Sequence, residues 1–165
     1  MTPPYNIEGL QEHTTESGIR YYIISEGKGH RPNQYDLVKC HYELYVNDRK
    51  LDSSFDRRHP LEVRLGRGMV ITGFEEVLSS FNMGTQLVAI IPPSLGYGVV
   101  AEEDINDKTP PLANKELTFH INLIGILTIM AFNRNELEEI NNNLNGSTNV
   151  KLVEKIKQNL QYLNN

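Results

Sequence analysis

The stretch LDSSFDRRHPLEVRLGRGMVITGF, Leu51 to Phe74, decides how this chain is read. It sets a carboxylate, Asp52, five residues ahead of a guanidinium, Arg57. It then passes through Pro60, a short apolar run from Leu61 to Leu65, a turn carrying Gly66 and Gly68, and a Val70-Ile71-x-Gly73-Phe74 step. Just before it, Leu37 to Val46 alternates strictly: Val38, Cys40, Tyr42 and Leu44 share one face, while Lys39, His41, Glu43 and Tyr45 share the other. That pattern predicts a half-buried strand, followed by a turn at Asn47-Asp48. Just after it, Phe74, Val77, Leu78 and Phe81 fall at helical spacing, so Gly73 to Phe81 is expected to be a short amphipathic helix ended by Met83-Gly84.

Further strands are expected at Ile19 to Ser25, near Lys50 to Ser53, at Leu61 to Leu65, at Thr85 to Ile91 and at Glu116 to Ile126. Between the last two, Pro92 to Asn114 reads as a long loop holding Pro92, Pro93, Pro110 and Pro111. Strand-dominated runs with one short helix predict an α+β fold, an antiparallel sheet of five to six strands wrapped around that helix. Residues 1–17 read as an irregular leader, 18–126 as the main domain and 127–165 as a helical C-terminal extension. In the extension, Arg134 to Leu144 and Thr148 to Leu163 have helical character. The narrow apolar stripe Leu152, Ile156, Leu160, Leu163 needs a partner surface, which is either the domain itself or another protein.

With 165 residues, 39% of them hydrophobic, the chain is long enough for one domain with a real core. Acidic residues outnumber basic ones, 21 to 16, which argues against a general nucleic-acid surface. The most apolar run, Ile121 to Met130, is broken by Asn122, Gly125 and Thr128, so no membrane span is expected. The opening MTPPYNIEGLQEHTTESG lacks the apolar core of a secretory signal. The expected compartment is the cytoplasm, or a secreted or periplasmic one if a signal has been removed. A single cysteine, Cys40, excludes an internal disulfide, and the five histidines lack metal-ligand spacing.

Residue by residue, these features are similar to those of the FKBP-type peptidyl-prolyl isomerases. His41-Tyr42, Asp52-Ser53-Ser54 with Arg57 and Pro60, Leu65-Gly66, Val70-Ile71-x-Gly73, Gly84, Ile91-Pro92-Pro93, Tyr97-Gly98, Pro110-Pro111 and Leu117-x-Phe119 match that family's pattern in order, over about residues 18–126. The resemblance implies an FKBP-like fold and catalysis of rotation about Xaa-Pro bonds without cofactor or metal. It implies that Tyr42, Phe74 and Phe119 line a proline cup, with Val70 and Ile71 at its rim and Leu51 and Leu61 where the family usually has phenylalanines. The backbone N–H of Ile71 and the phenol of Tyr97 would donate to substrate carbonyls. Asp52 would stand near the twisting amide, oriented by a bidentate pair with Arg57. Phe74 stands where the family usually has tryptophan, so with Leu51 and Leu61 the cup is expected to be less aromatic, and somewhat wider where leucine replaces a ring. Implied partners are proline-containing peptides or client proteins and macrolides of the tacrolimus or rapamycin type. The alternatives are a proline- or macrolide-binding or partner-docking module with weak turnover, and a general chaperone.

Overall fold

The computed structural model describes residues 1–127. The helices expected within 134–163, and any docking by them, lie outside the described residues. Strand β1 is His13–Thr14, β2 Arg20–Ser25, β3 Leu37–Val46, β4 Arg49–Ser53, β5 Leu61–Arg64, β6 Gln86–Ile91 and β7 Leu117–Leu127, with helix α1 at Thr72–Ser80. The strands form one sheet in the order β1-β2-β6-β7-β3-β4, with β5 also paired to β3. The strand pairs whose register is resolved are antiparallel.

Strand β3 is the organising element because it has three partners, β7, β5 and β4, the last two taken in turn along its length. Its first half pairs with β5, Leu37 opposite Arg64 and Cys40 opposite Leu61. Its second half pairs with β4, Leu44 opposite Asp52 and Val46 opposite Arg49. Asn47 and Asp48 close that hairpin with φ of 49° and 62°. Two successive left-handed residues match the right-handed twist of the flanking strands. The chain then crosses from β4 to β5 through Ser53–Pro60, and Ser54 pins the crossing. Its backbone N–H donates to Tyr42 O (3.0 Å) and its fully buried Oγ accepts from Tyr42 N–H (2.8 Å).

Phe74, Val77 and Leu78 of α1 are buried against the sheet. They meet Leu117, Phe119, Ile121 and Leu123, every second residue of β7, in the core. Each such aliphatic or aromatic side chain contributes roughly 1.5–3 kcal/mol by leaving water. Gly73 permits the contact: a Cβ there would stand 2.5 Å from a methyl of Ile91 and 3.1 Å from Leu95 O. Phe81 differs from its expected helical place. It is the C-cap, with extended backbone (φ −123°), and its ring packs edge-on against Tyr21 at 5.1 Å. The helix ends one residue early as Ser79 and Ser80 hydroxyls donate back to Glu76 O.

Two further differences arise at the amino-terminal end. The sheet has seven strands because His13–Thr14 adds to the open edge of β2. Two polar residues carry no alternation, so the sequence holds no signal for that strand. The leader also contributes a buried residue, Tyr5. Its backbone N–H donates to His120 Nδ1 at 3.0 Å, and its ring lies 5.7 Å from the imidazole. His120 and Glu43, on the face expected to be solvated, are thereby buried, as is Val88 opposite His120.

Candidate functional site

Three rings form the floor of a hollow between α1 and the sheet. Phe74 lies 4.7 Å from Phe119 and 5.8 Å from Tyr42, whose ring is 6.0 Å from Phe119. Tilted and edge-on arrangements at these distances are the favoured ones for aromatic quadrupoles. Strand alternation brings Tyr42 and Phe119 to the same side as the helix, and Phe74 is the helix's first buried ring. The hollow holds about 170 Å3. Leu44, Leu61, Val70 and Ile71 make its apolar walls, and Met69, Asp52 and Tyr97 stand at it as well.

At its polar side, three groups close a triangle. The Tyr42 hydroxyl donates to Asp52 Oδ2 at 2.5 Å. Arg57 donates through Nη1 to Asp52 Oδ1 and through Nη2 to the Tyr42 oxygen at 2.9 Å. The guanidinium also lies 5.7 Å over the Tyr42 ring. The expected bidentate pair is therefore absent: the guanidinium divides its two N–H groups between carboxylate and phenol, because the phenol already occupies Oδ2. A fourth bond, from Ser53 N–H to Oδ1 at 2.8 Å, completes the fixing of the carboxylate.

These contacts set the protonation states. Burial acts to raise the pKa of Asp52, but the hydrogen bonds from Tyr42 and Arg57, the guanidinium charge and the Ser53 N–H outweigh it, so the carboxyl ends below its usual range. Burial first, and then the bond to the Asp52 carboxylate, raise the Tyr42 phenol. At neutral pH the triangle is thus a carboxylate, a neutral phenol and a guanidinium.

Ile71 is the N-cap of α1, and no side chain caps that end. The first helical hydrogen bond runs from Glu75 N–H to Ile71 O, and the Ile71 N–H has no acceptor among the described residues. Open N–H groups and the positive end of the helix dipole make such a terminus ready to receive a carbonyl or an anion. Tyr97 follows the short 3₁₀ turn Pro93–Leu95 and is 43% exposed, its hydroxyl unpaired among the described residues. The loop beyond it is tied at its base by Asn114, whose Nδ2 donates to Val100 O and whose Oδ1 accepts from Val100 N–H, both at 2.7 Å.

Of the residues singled out from sequence, Tyr42, Asp52, Leu61, Val70, Ile71, Phe74, Tyr97 and Phe119 converge on this hollow. Arg57 reaches it only through Asp52 and Tyr42. Leu51 does not line it. The β3–β4 register jumps from Leu44 opposite Asp52 to Tyr45 opposite Lys50, which leaves Leu51 as the bulged residue, 45% exposed. Sequence reasoning missed Leu44 and Met69. Leu44 was legible, since it alternates in phase with Tyr42. Met69 carried no periodic signal.

A larger hollow of about 400 Å3 lies elsewhere, between β2 and the C-terminal end of α1, bordered by Tyr21, Phe81, Glu26 and Arg31. It shares no lining residue with the first, and its Glu26 and Arg31 form no ion pair with each other, so volume alone does not select the site. No group of three or more His, Cys, Asp or Glu among the described residues is arranged to hold a metal ion. Among those residues, no helix is long and apolar enough to cross a membrane.

The comparisons with known proteins agree with this geometry. The profile of the FKBP-type peptidyl-prolyl cis-trans isomerases matches residues 28–124. The chain belongs to that family. It is 41% identical over 92 residues to FK506-binding protein 2 of Dictyostelium discoideum, covering 55% of this chain and 65% of that one. It is 34% identical over 113 residues to FK506-binding protein 1A of Aspergillus fumigatus, covering 66% of this chain and 95% of that one. Against the FKBP-type isomerase FkpA of Escherichia coli the match spans 39% of the relative, so the chain covers well under two thirds of several relatives' lengths. Among solved structures, AtFKBP13 superposes with a TM-score of 0.60 at 28% identity, over 71% of this chain and 99% of that one.

Proposed function

We propose that the chain catalyses cis–trans isomerisation of Xaa-Pro peptide bonds in the hollow floored by Tyr42, Phe74 and Phe119. The observation that carries the proposal is convergence: an aromatic floor, a charge-fixed carboxylate and an uncapped helix N-terminus border one cavity. The barrier to be lowered is amide resonance, roughly 18–20 kcal/mol. No nucleophile or cofactor is required. The pyrrolidine ring seats on the three rings, and the walls of Leu61, Val70 and Ile71 exclude water. The twisted amide has lost conjugation and is less polar along C–N, so a dry apolar site favours it over the planar form. The Ile71 N–H and the Tyr97 hydroxyl hold the carbonyls on either side of the turning bond. Asp52, kept ionised and immobile by Arg57, Tyr42 and Ser53, faces the carbonyl carbon as it rotates out of conjugation. The roles of these residues, and residues 18–126 as the domain that carries them, form part of the proposal. So do the ligands, proline-containing peptides of client chains during folding and macrolides of the tacrolimus type.

A direct or protease-coupled assay on an Xaa-Pro tetrapeptide tests the activity, with a rate above the uncatalysed background expected. A background rate from protein shown to be folded would overturn the proposal. Titration with a tacrolimus-type macrolide reads the hollow independently of turnover.

A further inference from the structure

We infer that Met69 is a reversible oxidation site that weakens the hollow when it is converted to the sulfoxide. The inference rests on reading the hollow as the proline-binding site. Met69 borders the hollow beside Val70 and Ile71 and is 57% exposed. Its thioether therefore touches both solvent and the place a ligand takes. The sulfur is also held in position: the backbone N–H of Arg64 donates to Sδ at 3.4 Å, across the turn that returns from β5 to α1. That turn uses left-handed backbone at Gly66 (φ 75°) and Gly68 (φ 63°), which sets Met69 at the rim. Of the chain's other three methionines, Met83 is 7% exposed and packed in the core, Met1 is exposed but lines neither described hollow, and Met130 lies outside the described residues.

The chemistry is a two-electron oxygen transfer from a peroxide. The sulfur lone pair attacks the distal peroxide oxygen, the O–O bond breaks, an S–O bond forms, and with hydrogen peroxide the other oxygen leaves as water. The sulfur is oxidised and the peroxide reduced. A thiol-dependent sulfoxide reductase reverses the step, which makes it regulatory rather than only damaging. Sulfoxidation turns a flexible apolar side chain into a polar, hydrated one. At a rim otherwise built from Leu61, Val70 and Ile71, a ligand then meets a group that must give up water before contact. Losing one apolar contact of this size weakens binding about three- to tenfold.

The test treats the whole chain with dilute hydrogen peroxide, maps sulfoxides by peptide mass, and titrates untreated and treated protein with a fluorescent tacrolimus-type macrolide. Met69 is expected to oxidise well before Met83 and to be shielded when the macrolide is bound. Affinity should fall about three- to tenfold and return on reductase treatment. Met69→Leu, compared before and after treatment with its own untreated form, should keep its affinity. Oxidation of Met83 before Met69, equal affinity in the sulfoxide form, or the same loss in Met69→Leu would each overturn the inference. Turnover of the untreated protein is read separately: its absence counts against the proposed isomerase activity, while an unchanged affinity ratio counts against Met69. Untreated protein that turns over the tetrapeptide but does not bind the macrolide overturns the Met69 inference alone, and protein that does neither overturns both.

Discussion

The two faces of the sheet bury aromatic rings for different ends. On the helix side, Tyr42, Phe74 and Phe119 pack among one another and leave a hollow edged by a fixed carboxylate. On the other side, Tyr5, Tyr45 and His120 pack together with Glu43 and fill their space. The first face satisfies its polar groups at the rim, where Asp52 remains partly exposed. The second buries them. Glu43 accepts from the Tyr45 hydroxyl at 2.7 Å and lies 3.7 Å from the Lys50 ammonium. The Tyr5 hydroxyl is buried without a partner among the described residues. Burial, and then the Glu43 charge, push that phenol up to about 12. The same ring chemistry thus gives a binding surface where the helix stands off the sheet, and a clasp for the leader where a chain segment lies flat on it.

The largest expected difference between the faces is in stability. Phe119→Ala should cost about 3–5 kcal/mol, because it empties the centre of the core. Tyr5→Ala should cost less, about 1–3 kcal/mol, because the leader can come away as a unit while the rest stays folded. Urea unfolding curves measure both, and equal losses would mean that the leader is as much a part of the core as β7.

The next effect separates binding from folding. Asp52→Ala should lower kcat/KM by about tenfold or more, the equivalent of some 1.4 kcal/mol in the barrier. The urea midpoint should barely move, because Asp52 and Arg57 are both well exposed and such pairs add little to stability. A variant that unfolds in step with its loss of activity would put Asp52 with the structural residues instead.

Acidification should act on the outer face first. Burial lowers the pKa of His120, against an opposing pull from Glu43, and burial followed by the charge of His59 lowers that of His41. With folded values below the unfolded value of about 6.5, the unfolded chain takes up protons first. The stability these groups contribute is whole above about pH 6.5 and declines as pH falls through their folded pKa. Protonation of His120 Nδ1 also removes the acceptor for the Tyr5 N–H. Asp52, with its lowered pKa, stays ionised until pH falls well into the acid range and takes no part in this fall. Stability measured at pH 7 and pH 5 should therefore fall, and His120→Asn, which retains an acceptor without a titrating ring, should flatten part of that fall. An unchanged slope would show that His120 does not titrate in this window.

The smallest expected effect has the opposite sign. Tyr5→Phe removes the buried, unpartnered hydroxyl and should leave stability unchanged or raise it by up to about 1 kcal/mol. A loss of stability would mean that the hydroxyl is satisfied by water.

What the sequence by itself determined was the local order: the alternation of β3 and β7, the Asn47-Asp48 hairpin, the helix after Gly73, and the family motif. Period, turn chemistry and residue spacing are local properties, and they put Tyr42, Phe119 and Phe74 on the faces that meet. Only the tertiary structure decided which side chains face one another across it. The bulge that takes Leu51 out of the hollow, the phenol that divides the Arg57 guanidinium between two acceptors, and the addition of Met69 to the rim all depend on how β3, β4 and the turn before α1 come together. The capture of Tyr5 by His120 joins groups 115 residues apart. A contact of that separation leaves no periodic trace in a chain, because its energy comes from burial and hydrogen bonding that exist only once both faces of the sheet have formed.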